Sequence, residues 1–227
     1  MSKISIIIPT INEANNLPLL LSDLSTIHKD GEIIIVDCGS EDKTIDIANI
    51  YGAKVFISKE KNRGLQLDMG AKNSKGDWLI FLHADTRLTY DWFRKTNSIL
   101  KGNKNSLYHF KFKIDHKKII YRVLEILVNF RSKYFKQPYG DQGLIIHRTT
   151  YFKNNGFRKI PLMEDVDFLR RLNKKKDLKQ LNLPIFISSR KWERTNIFLQ
   201  ALKNWNFRRR WLKGESIKSI YSDYYKK

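Results

Sequence analysis

The chain has 227 residues, 41% hydrophobic and 12% aromatic, which is enough apolar material for one folded α/β domain. Its single cysteine excludes an internal disulfide framework and a cysteine-only zinc site. The net charge of +20 is uneven, because residues 1–100 carry 12 Lys/Arg and 13 Asp/Glu, whereas the remainder carries 31 and 10. An anionic partner would therefore meet the second half.

The first hundred residues alternate between short apolar runs and helical patterns. Predicted strands lie at 3–9, 31–37, 53–58 and 77–83. Helices are predicted between them, at 13–28, 42–51 and 64–75. This spacing is typical of βαβ units with a buried parallel sheet.

The second half is less regular but continues as one unit. It predicts a half-exposed strand at 107–114, a helix at 118–135, a strand at 142–148, a helix at 164–175, a strand at 183–189 and a helix at 195–213. No repeat or Gly/Ser linker divides the chain. We therefore predict one mixed α/β domain over 1–227.

Each of the first four predicted strands ends in a polar loop: "PTINE", "DCGSED", "SKEKNRG" and "HADT". Ligands of open α/β sheets bind at such carboxyl ends. Each loop also has a structural interpretation, since Thr10 and Glu13 match a helix capping box and 40–42 an acidic first turn. No G-x-G-x-x-G follows the first strand and "GLQLDMGAKN" is not a Walker loop, so dinucleotide and ATPase sites are disfavoured.

The loop after the fourth strand indicates a cation site. His83 and Asp85 are two residues apart on an extended segment, so their side chains point the same way. A hard ion such as Mg²⁺ or Mn²⁺ would take the carboxylate together with diphosphate oxygens. A histidine bonded to the backbone is the alternative interpretation of His83.

Four segments together resemble family 2 glycosyltransferases with the GT-A fold: "SIIIPTINEANNL", "IIIVDCGSEDKT", "NRGLQLDMGAKNSKGDWLIFLHADT" and "PLMEDVDFLRRL". The chain is most similar to a small bacterial subgroup with "HAD" and "PYGDQ" segments. The resemblance implies a Rossmann-like, mixed, mostly parallel sheet flanked by helices, with a C-terminal amphipathic helix. It also implies sugar transfer from a nucleotide-diphosphate sugar, with UDP favoured, to a hydroxyl acceptor.

The resemblance also implies roles for individual residues. A nucleotide-sugar site would be formed by Pro9, Thr10, Asn12, Glu13, Asp37, Gly39, Arg63, His83, Ala84 and Asp85. Asp85 matches the last acid of the family's Asp-x-Asp metal motif, and His83 replaces its first acid. This replacement favours Mn²⁺ slightly over Mg²⁺. Glu164 and Asp165 match the catalytic acidic pair, in which the second residue is the general base; acids at a helix start are the structural alternative.

Further positions are matched to the acceptor side. Asp141 and Gln142 lie in "QPYGDQG", which resembles an acceptor-side segment but also suits an ordinary turn. Arg190 and Trp192, in "SSRKW", are expected near phosphate and sugar. With one base and one attack, the expected chemistry is a metal-assisted single displacement that inverts the anomeric carbon.

Residues 195–213 place apolar side chains at helical spacing beside a basic run, which suits an anionic membrane surface and a lipid-linked acceptor. A helix packed on the core is the alternative. With no secretory signal and no membrane-spanning stretch, we expect a cytoplasmic protein, peripheral at the inner face of the cell membrane if this helix binds lipid.

The expected division is a nucleotide-sugar half at 1–100, an acceptor half at 101–194 and a basic end at 195–227. Two other functions are alternatives. A basic nucleic-acid-binding protein leaves the strand-end acids unexplained, and a sugar-nucleotide nucleotidyltransferase should carry a glycine-rich basic loop after the first strand.

Overall fold

The computed structural model describes residues 3–27, 30–172, 178–188 and 197–225. Within these ranges there are eight strands: β1 (Ile4–Thr10), β2 (Gly31–Asp37), β3 (Lys54–Ile57), β4 (Trp78–Phe81), β5 (Thr86–Leu88), β6 (Leu107–Asp115), β7 (Leu144–His147) and β8 (Leu178–Ser188). The α-helices are α1 (Leu17–Asp23), α2 (Thr44–Ile50), α3 (Arg63–Asn73), α4 (Trp92–Leu100), α5 (Ile119–Tyr134), α6 (Arg148–Lys153), α7 (Glu164–Arg171), α8 (Ile197–Leu212) and α9 (Ile217–Tyr225).

All eight strands form one sheet in the order β3-β2-β1-β4-β7-β6-β8-β5. The first four positions pair in parallel, as βαβ units require. β7 runs antiparallel to β4, β8 lies parallel to β6, and β5 closes the far edge antiparallel to β8. The predicted fold class, a mixed and mostly parallel sheet flanked by helices, is confirmed.

The sheet is buried on both faces. Along β1, Ile6 and Ile8 join one hydrophobic cluster while Ile7 joins the other, as the alternation of side chains along a strand requires. Trp78 and Trp92 contribute the largest buried side chains of the first cluster, and Tyr151 and Phe168 those of the second. This double burial fixes the strand ends that position the polar loops.

Several elements differ from the predictions. β5, α4, α6 and α9 were not predicted, and β8 begins at Leu178 rather than at residue 183. The strand predicted as half-exposed is wholly buried over 107–110, because Leu107 packs in one hydrophobic cluster and Tyr108 and Phe110 pack in the other. No helix in the described ranges combines the length and apolar content needed to cross a bilayer.

The helix starts predicted from local caps also differ. Thr10 forms no capping box, because its hydroxyl donates to Asp37 at 2.8 Å and the next helix begins only at Leu17. The turn at 40–42 does precede a helix, with Asp42 accepting the Thr44 backbone N–H at 3.0 Å. The strand-end loop at Thr10 therefore serves contacts between strands rather than a helix start.

Candidate functional site

A cleft with an empty volume of about 1030 Å³ opens where β1 and β4 end, and we name it the strand-end cleft. It contains many of the residues predicted for nucleotide-sugar binding, together with Glu164 of the predicted catalytic pair: Pro9, Thr10, Glu13, Arg63, His83, Ala84, Asp85 and Glu164. Lys61, Asn62 and Gln66 complete the α3 side. The structure thus gathers residues from four separate segments on one surface, as the strand-end rule predicts.

Asp37 lies directly behind this cleft and is fully buried. One carboxylate oxygen accepts the Ser40 backbone N–H at 2.8 Å, and the other accepts the hydroxyls of Thr10 at 2.8 Å and Ser40 at 2.5 Å. Burial of a carboxylate requires such partners. In this conformation Asp37 holds the β1 and β2 loops together and presents no surface to the cleft.

The loop after β1 is bound to the loop after β2 by further hydrogen bonds. Asn12 adopts the left-handed conformation with φ 53°, donates its N–H to Ser40 Oγ, and accepts the Glu41 N–H, both at 2.8 Å. The Glu13 N–H donates to Thr44 Oγ1 at 2.8 Å. Gly39, with φ +70°, makes the turn that such a loop needs. Asn12 lies exposed at the rim rather than inside the cleft.

Gln66 is a site residue that sequence reasoning missed. Its side-chain amide is buried and donates to the carbonyls of Thr10 at 3.1 Å and Val36 at 2.7 Å. It therefore joins the ends of β1 and β2 to α3. A polar residue inside the helical pattern "GLQLDMG" was the available signal.

A second cleft, which we name the helix-side cleft, has an empty volume of about 1240 Å³. It contains His83, Asp85, Asp141 and Asp165 among the predicted residues. The rest of its lining is largely apolar or aromatic and comes from β6, α5, β8 and α8: Phe112, Leu124, Val128, Ile187 and Trp205.

The two clefts share one wall, made by Arg63, His83, Asp85, Leu162 and Tyr224. Tyr224 belongs to α9, the helix that sequence reasoning did not predict. The pattern of Ile217, Ile220 and Tyr224 at helical spacing was the missed signal, and Ile220 is fully buried.

Arg63 and Glu164 form an ion pair between α3 and α7 across this wall. Glu164 is only 2% exposed, and its burial, with Asp165 beside it, raises the pKa of the Glu164 carboxyl despite Arg63. Burial alone would lower the pKa of Arg63, but Glu164, Asp165 and Asp141 together raise the pKa of Arg63 above its ordinary value. The Arg63 Nη1 atom also lies 3.4 Å from His83 Nε2.

Asp165, in the first turn of α7, faces the helix-side cleft with a fixed carboxylate. Its Oδ2 accepts the Gly140 N–H at 2.6 Å and its Oδ1 accepts the Val166 N–H at 2.7 Å. Met163, just before the pair, has a left-handed backbone with φ 65°, a strained conformation for this residue type. Asp167, by contrast, binds Arg171 at 2.8 Å and is structural.

The 137–143 segment is held by a residue that sequence reasoning missed. The Arg131 guanidinium stacks over the Tyr139 ring at 3.7 Å and its Nε donates to the Gln137 carbonyl at 3.1 Å. Gln142 corrects the acceptor-side expectation: it is fully buried and lines neither cleft. Its Oε1 accepts the Ser132 hydroxyl at 2.6 Å. The predicted sites at Arg190 and Trp192 lie outside the described residues.

Few of the described side chains in the two clefts could act as metal ligands. Across 3–27, 30–172, 178–188 and 197–225, no group of three or more His, Cys, Asp or Glu side chains is arranged to hold an ion. Among these residues Asp85 is the one carboxylate that lines both clefts, whereas His83 Nε2 is directed at Arg63. One carboxylate on an open wall fits an ion whose other ligands come from a bound diphosphate and water.

The fold and sequence were compared with known proteins. Solved structures of similar fold include S. aureus TarS 1-349 in complex with UDP-GlcNAc, with a TM-score of 0.65 and 16% identity over 83% of this chain and 59% of that one. Glucosyl-3-phosphoglycerate synthase from Mycobacterium tuberculosis, in complex with Mn²⁺, UDP and glucosyl-3-phosphoglycerate, has a TM-score of 0.59 and 19% identity over 81% and 70% of the two chains. At these identities the likeness concerns the fold, which is the GT-A arrangement.

Curated relatives match over shorter stretches. A PGL/p-HBAD biosynthesis glycosyltransferase from Mycobacterium bovis is 40% identical over 91 residues, covering 37% of this chain and 36% of that protein. The 4,4'-diaponeurosporenoate glycosyltransferase from Staphylococcus haemolyticus is 32% identical over 131 residues, covering 55% and 34%. The matched stretches span about a third of the length of these relatives.

The model of the family described as "Glycosyl transferase family 2" matches residues 5–164, from β1 to the first residue of α7. The matched region contains the cleft residues at the end of β1 and in the loop after β4, and it ends at Glu164. Family membership favours sugar transfer over nucleic-acid binding and nucleotidyl transfer. The chain therefore belongs to glycosyltransferase family 2.

Proposed function

We propose that the protein transfers a sugar from a nucleotide-diphosphate sugar, with UDP as the preferred nucleotide, to a hydroxyl acceptor. The observation that carries this proposal is the shared wall: Asp85 faces both clefts, and Asp165 lies across it in the helix-side cleft. A donor in one cleft and an acceptor in the other would meet at this wall. The TarS and glucosyl-3-phosphoglycerate synthase complexes with UDP support the nucleotide.

The strand-end cleft would bind the nucleoside diphosphate. Pro9, Thr10 and Glu13 line its β1 side, and Arg63 supplies a cation on the wall nearest the reacting bond. Asp37 and Gly39 lie behind this surface and hold the loops in place. Asp37 would contact the nucleobase of the donor only if Ser40 no longer donated to one of its carboxylate oxygens. Lys61 adds positive charge beside the expected phosphates.

Asp85 would hold the divalent ion, with Mn²⁺ and Mg²⁺ as candidates, as in complexes of glucosyl-3-phosphoglycerate synthase. When bound there, the ion would neutralise charge on the departing diphosphate. His83, two residues earlier, orients Arg63 by the contact at its Nε2 and would reach the ion only after turning away. Ala84 between them is buried and keeps the loop close to the sheet.

Asp165 would accept the acceptor hydroxyl proton as the oxygen attacks the anomeric carbon. The N–H donors of Gly140 and Val166 fix the carboxylate plane before the acceptor arrives. Glu164, paired with Arg63, is a positioning residue that anchors α7 against the wall. One base and one attack give a single displacement, with inversion at the anomeric carbon.

The acceptor would enter the helix-side cleft, where Asp141 offers a carboxylate for hydroxyl groups. The apolar lining from Phe112, Leu124 and Val128 supports a lipid-linked or otherwise apolar acceptor. A protein acting on such an acceptor would work in the cytoplasm at the inner face of the cell membrane. The proposal divides the chain into a donor half at 1–100, an acceptor half at 101–194 and a basic end at 195–227. The later parts also contribute residues to the donor side: Pro161, Leu162, Glu164, Tyr221 and Tyr224.

A thermal-shift screen of sugar nucleotides, each with and without Mn²⁺ or Mg²⁺, tests donor binding. We expect a UDP-sugar to raise the unfolding temperature more with the metal than without it. Transfer to an acceptor from lipid extracts would then be followed by NMR of the anomeric proton. A product that retains the donor configuration would contradict single displacement, and no stabilisation by any sugar nucleotide would contradict the donor site.

A further inference from the structure

Helix α5 packs on the core through both apolar and polar side chains. Tyr121 and Leu124 join the first hydrophobic cluster, and buried Glu125 and Ser132 and half-buried Asn129 lie on the same side. Glu125 Oε1 accepts the Ile114 N–H at 2.7 Å, and the Asn129 side chain bonds both the N–H and the carbonyl of Phe112. One side of α5 is therefore already attached to the sheet by apolar packing and by hydrogen bonds to β6, as the core-facing side of an amphipathic helix should be.

The opposite side of α5 is apolar and exposed. Its side chains are 43–81% exposed: Ile119, Val123, Ile126, Leu127, Phe130 and Tyr134. At about 100° per residue these six positions fall on one arc of the helix roughly 100° wide. The Phe130 and Tyr134 rings lie 4.7 Å apart and Phe135 is 6.0 Å from Phe130, so the stripe ends in an exposed aromatic cluster. A water-facing helix surface is normally polar, so this stripe marks an interaction surface.

Positive charge surrounds the stripe. Between residues 116 and 136 there are six Lys/Arg and one acid, and that acid is the buried Glu125. Lys117, Lys118 and Lys133 are exposed at the two ends of the helix. Beyond Phe135, an open groove of about 690 Å³ is lined by Lys136 and by two further cations, Arg170 and Arg208.

From these observations we infer that the exposed face of α5 docks on an anionic lipid bilayer. Apolar side chains framed by cations and ending in aromatic rings are complementary to a bilayer surface with anionic headgroups. A symmetric contact with a second copy would instead bring the flanking lysines of both chains together, at a cost in repulsion. The helix lies in the surface plane, since it is too short to span a bilayer.

Docking through α5 places the helix-side cleft beside the lipid. Leu124 and Val128 of the same helix line that cleft, and Trp205 of α8 lines it from another side while remaining 54% exposed. An apolar acceptor could pass from the bilayer into the cleft along α5. This consequence rests on the proposed function, whereas membrane binding itself does not.

Vesicle flotation tests whether the exposed face of α5 binds an anionic bilayer. Phosphatidylcholine vesicles containing phosphatidylglycerol are compared with pure phosphatidylcholine vesicles, using wild type and the variant Ile126→Glu/Phe130→Glu. Both positions are exposed, so the variant should fold, which circular dichroism checks. The matched control is Ile50→Glu/Ile57→Glu, which adds the same charge at apolar positions in the first half that are at least about as exposed.

We expect wild type and control to bind the anionic vesicles, with weak binding to neutral ones, and the α5 variant to bind at least about tenfold less. Equal binding by the α5 variant, or no binding by wild type, would overturn the proposal. A wild type that is dimeric by light scattering and an α5 variant that is monomeric would assign the face to a second copy instead. UDP-sugar binding by calorimetry, measured on the same samples, reports separately on the proposed function.

A second measurement places the helix in the membrane directly. In a Cys38→Ser background, Phe130→Cys and Ile50→Cys are each labelled with an environment-sensitive fluorophore. Anionic vesicles should shift the emission of the label at position 130 to shorter wavelength and leave that at position 50 unchanged. A shift at neither position, or an equal shift at both, would contradict docking through α5.

Discussion

The two clefts that meet at Asp85 are built in different ways. The strand-end cleft is formed by loops that continue directly from β1 and β4, and backbone and side-chain bonds such as those of Asp37 and Gln66 hold it in place. The helix-side cleft is formed by side chains from separate helices and strands, and much of its lining is apolar. The first is a consequence of sheet topology, whereas the second depends on how α5, α7, α8 and α9 pack.

This difference suits two different ligands. All donors that carry one nucleotide present the same nucleoside diphosphate, so a rigid hydrogen-bonded surface can bind it with little reorganisation. An acceptor is chemically specific to each enzyme, and apolar side chains on separate elements can vary without disturbing the sheet. The separation predicts that single substitutions will affect donor binding or transfer, but seldom both.

The largest expected effect is at Asp165. Asp165→Asn keeps the shape but removes the proton acceptor, so we expect the transfer rate to fall by about a thousandfold or more while the donor Kd stays within about twofold. Single-turnover kinetics and calorimetry measure the two quantities. Asp115→Asn, an exposed acid at the end of β6, is the matched control. If Asp165→Asn keeps its turnover, another residue is the general base. If it loses donor binding, the two clefts are not functionally separate.

A smaller effect is expected at Asp85, on the shared wall. Asp85→Asn should weaken metal-dependent UDP binding by about tenfold or more and leave the metal-independent part unchanged, because only the ion's carboxylate is lost. Calorimetric titration of UDP with Mn²⁺ and with a chelator separates the two parts. His83→Asn should have the smaller effect of the two, since His83 contacts Arg63. An equal loss of metal-dependent UDP binding in both variants would indicate that Asp85 and His83 bind the ion together.

The two clefts also differ in how far the sequence predicted them. Strand-end residues such as Thr10 and Asp85 were found because parallel strands deliver their ends to one edge whatever the rest of the fold does. Arg131 and Tyr224 were missed because they reach the site through packing between distant elements, which periodicity does not encode. Gln142 was misplaced for the same reason, since a turn residue one position from Asp141 faces α5 instead of the cleft.

The stability of the fold should depend on pH through a buried histidine in the acceptor half. Burial, together with the positive charges of Lys136 and Arg131, lowers the pKa of His109, on β6, to about 4, although a hydrogen bond with the Phe110 carbonyl opposes the shift. Between the ordinary pKa of about 6.5 and about 4, the unfolded chain binds a proton that the folded chain does not. The free energy of unfolding should therefore fall by about 2 kcal/mol between about pH 7 and about pH 5.

Denaturant titrations at both pH values measure this loss. His109→Asn should remove most of it, whereas His116→Asn, at a partly exposed position after β6, should not. An unchanged pH dependence in His109→Asn would assign the acid response to other groups, and the contrast between the halves would then lose this support.

The smallest change tests how tightly the helix-side cleft is fitted. A Cβ atom on Gly140 would lie 3.2 Å from His83 Nε2 and 3.3 Å from Asp165 Oδ2, so Gly140→Ala must displace both side chains by a few tenths of an ångström. Since misplacement by 1 Å can cost about a hundredfold in rate, we expect about a fivefold lower kcat, with the donor Kd and the unfolding temperature nearly unchanged. Gly102→Ala, at an exposed position just after α4, is the control, because its Cβ would meet the Ile99 carbonyl oxygen at a similar 3.2 Å but lies outside both clefts. A normal kcat in Gly140→Ala would show that the side chains of the helix-side cleft can shift without loss of activity. The helix-side cleft would then be adaptable even at the catalytic carboxylate of Asp165, unlike the rigid strand-end cleft.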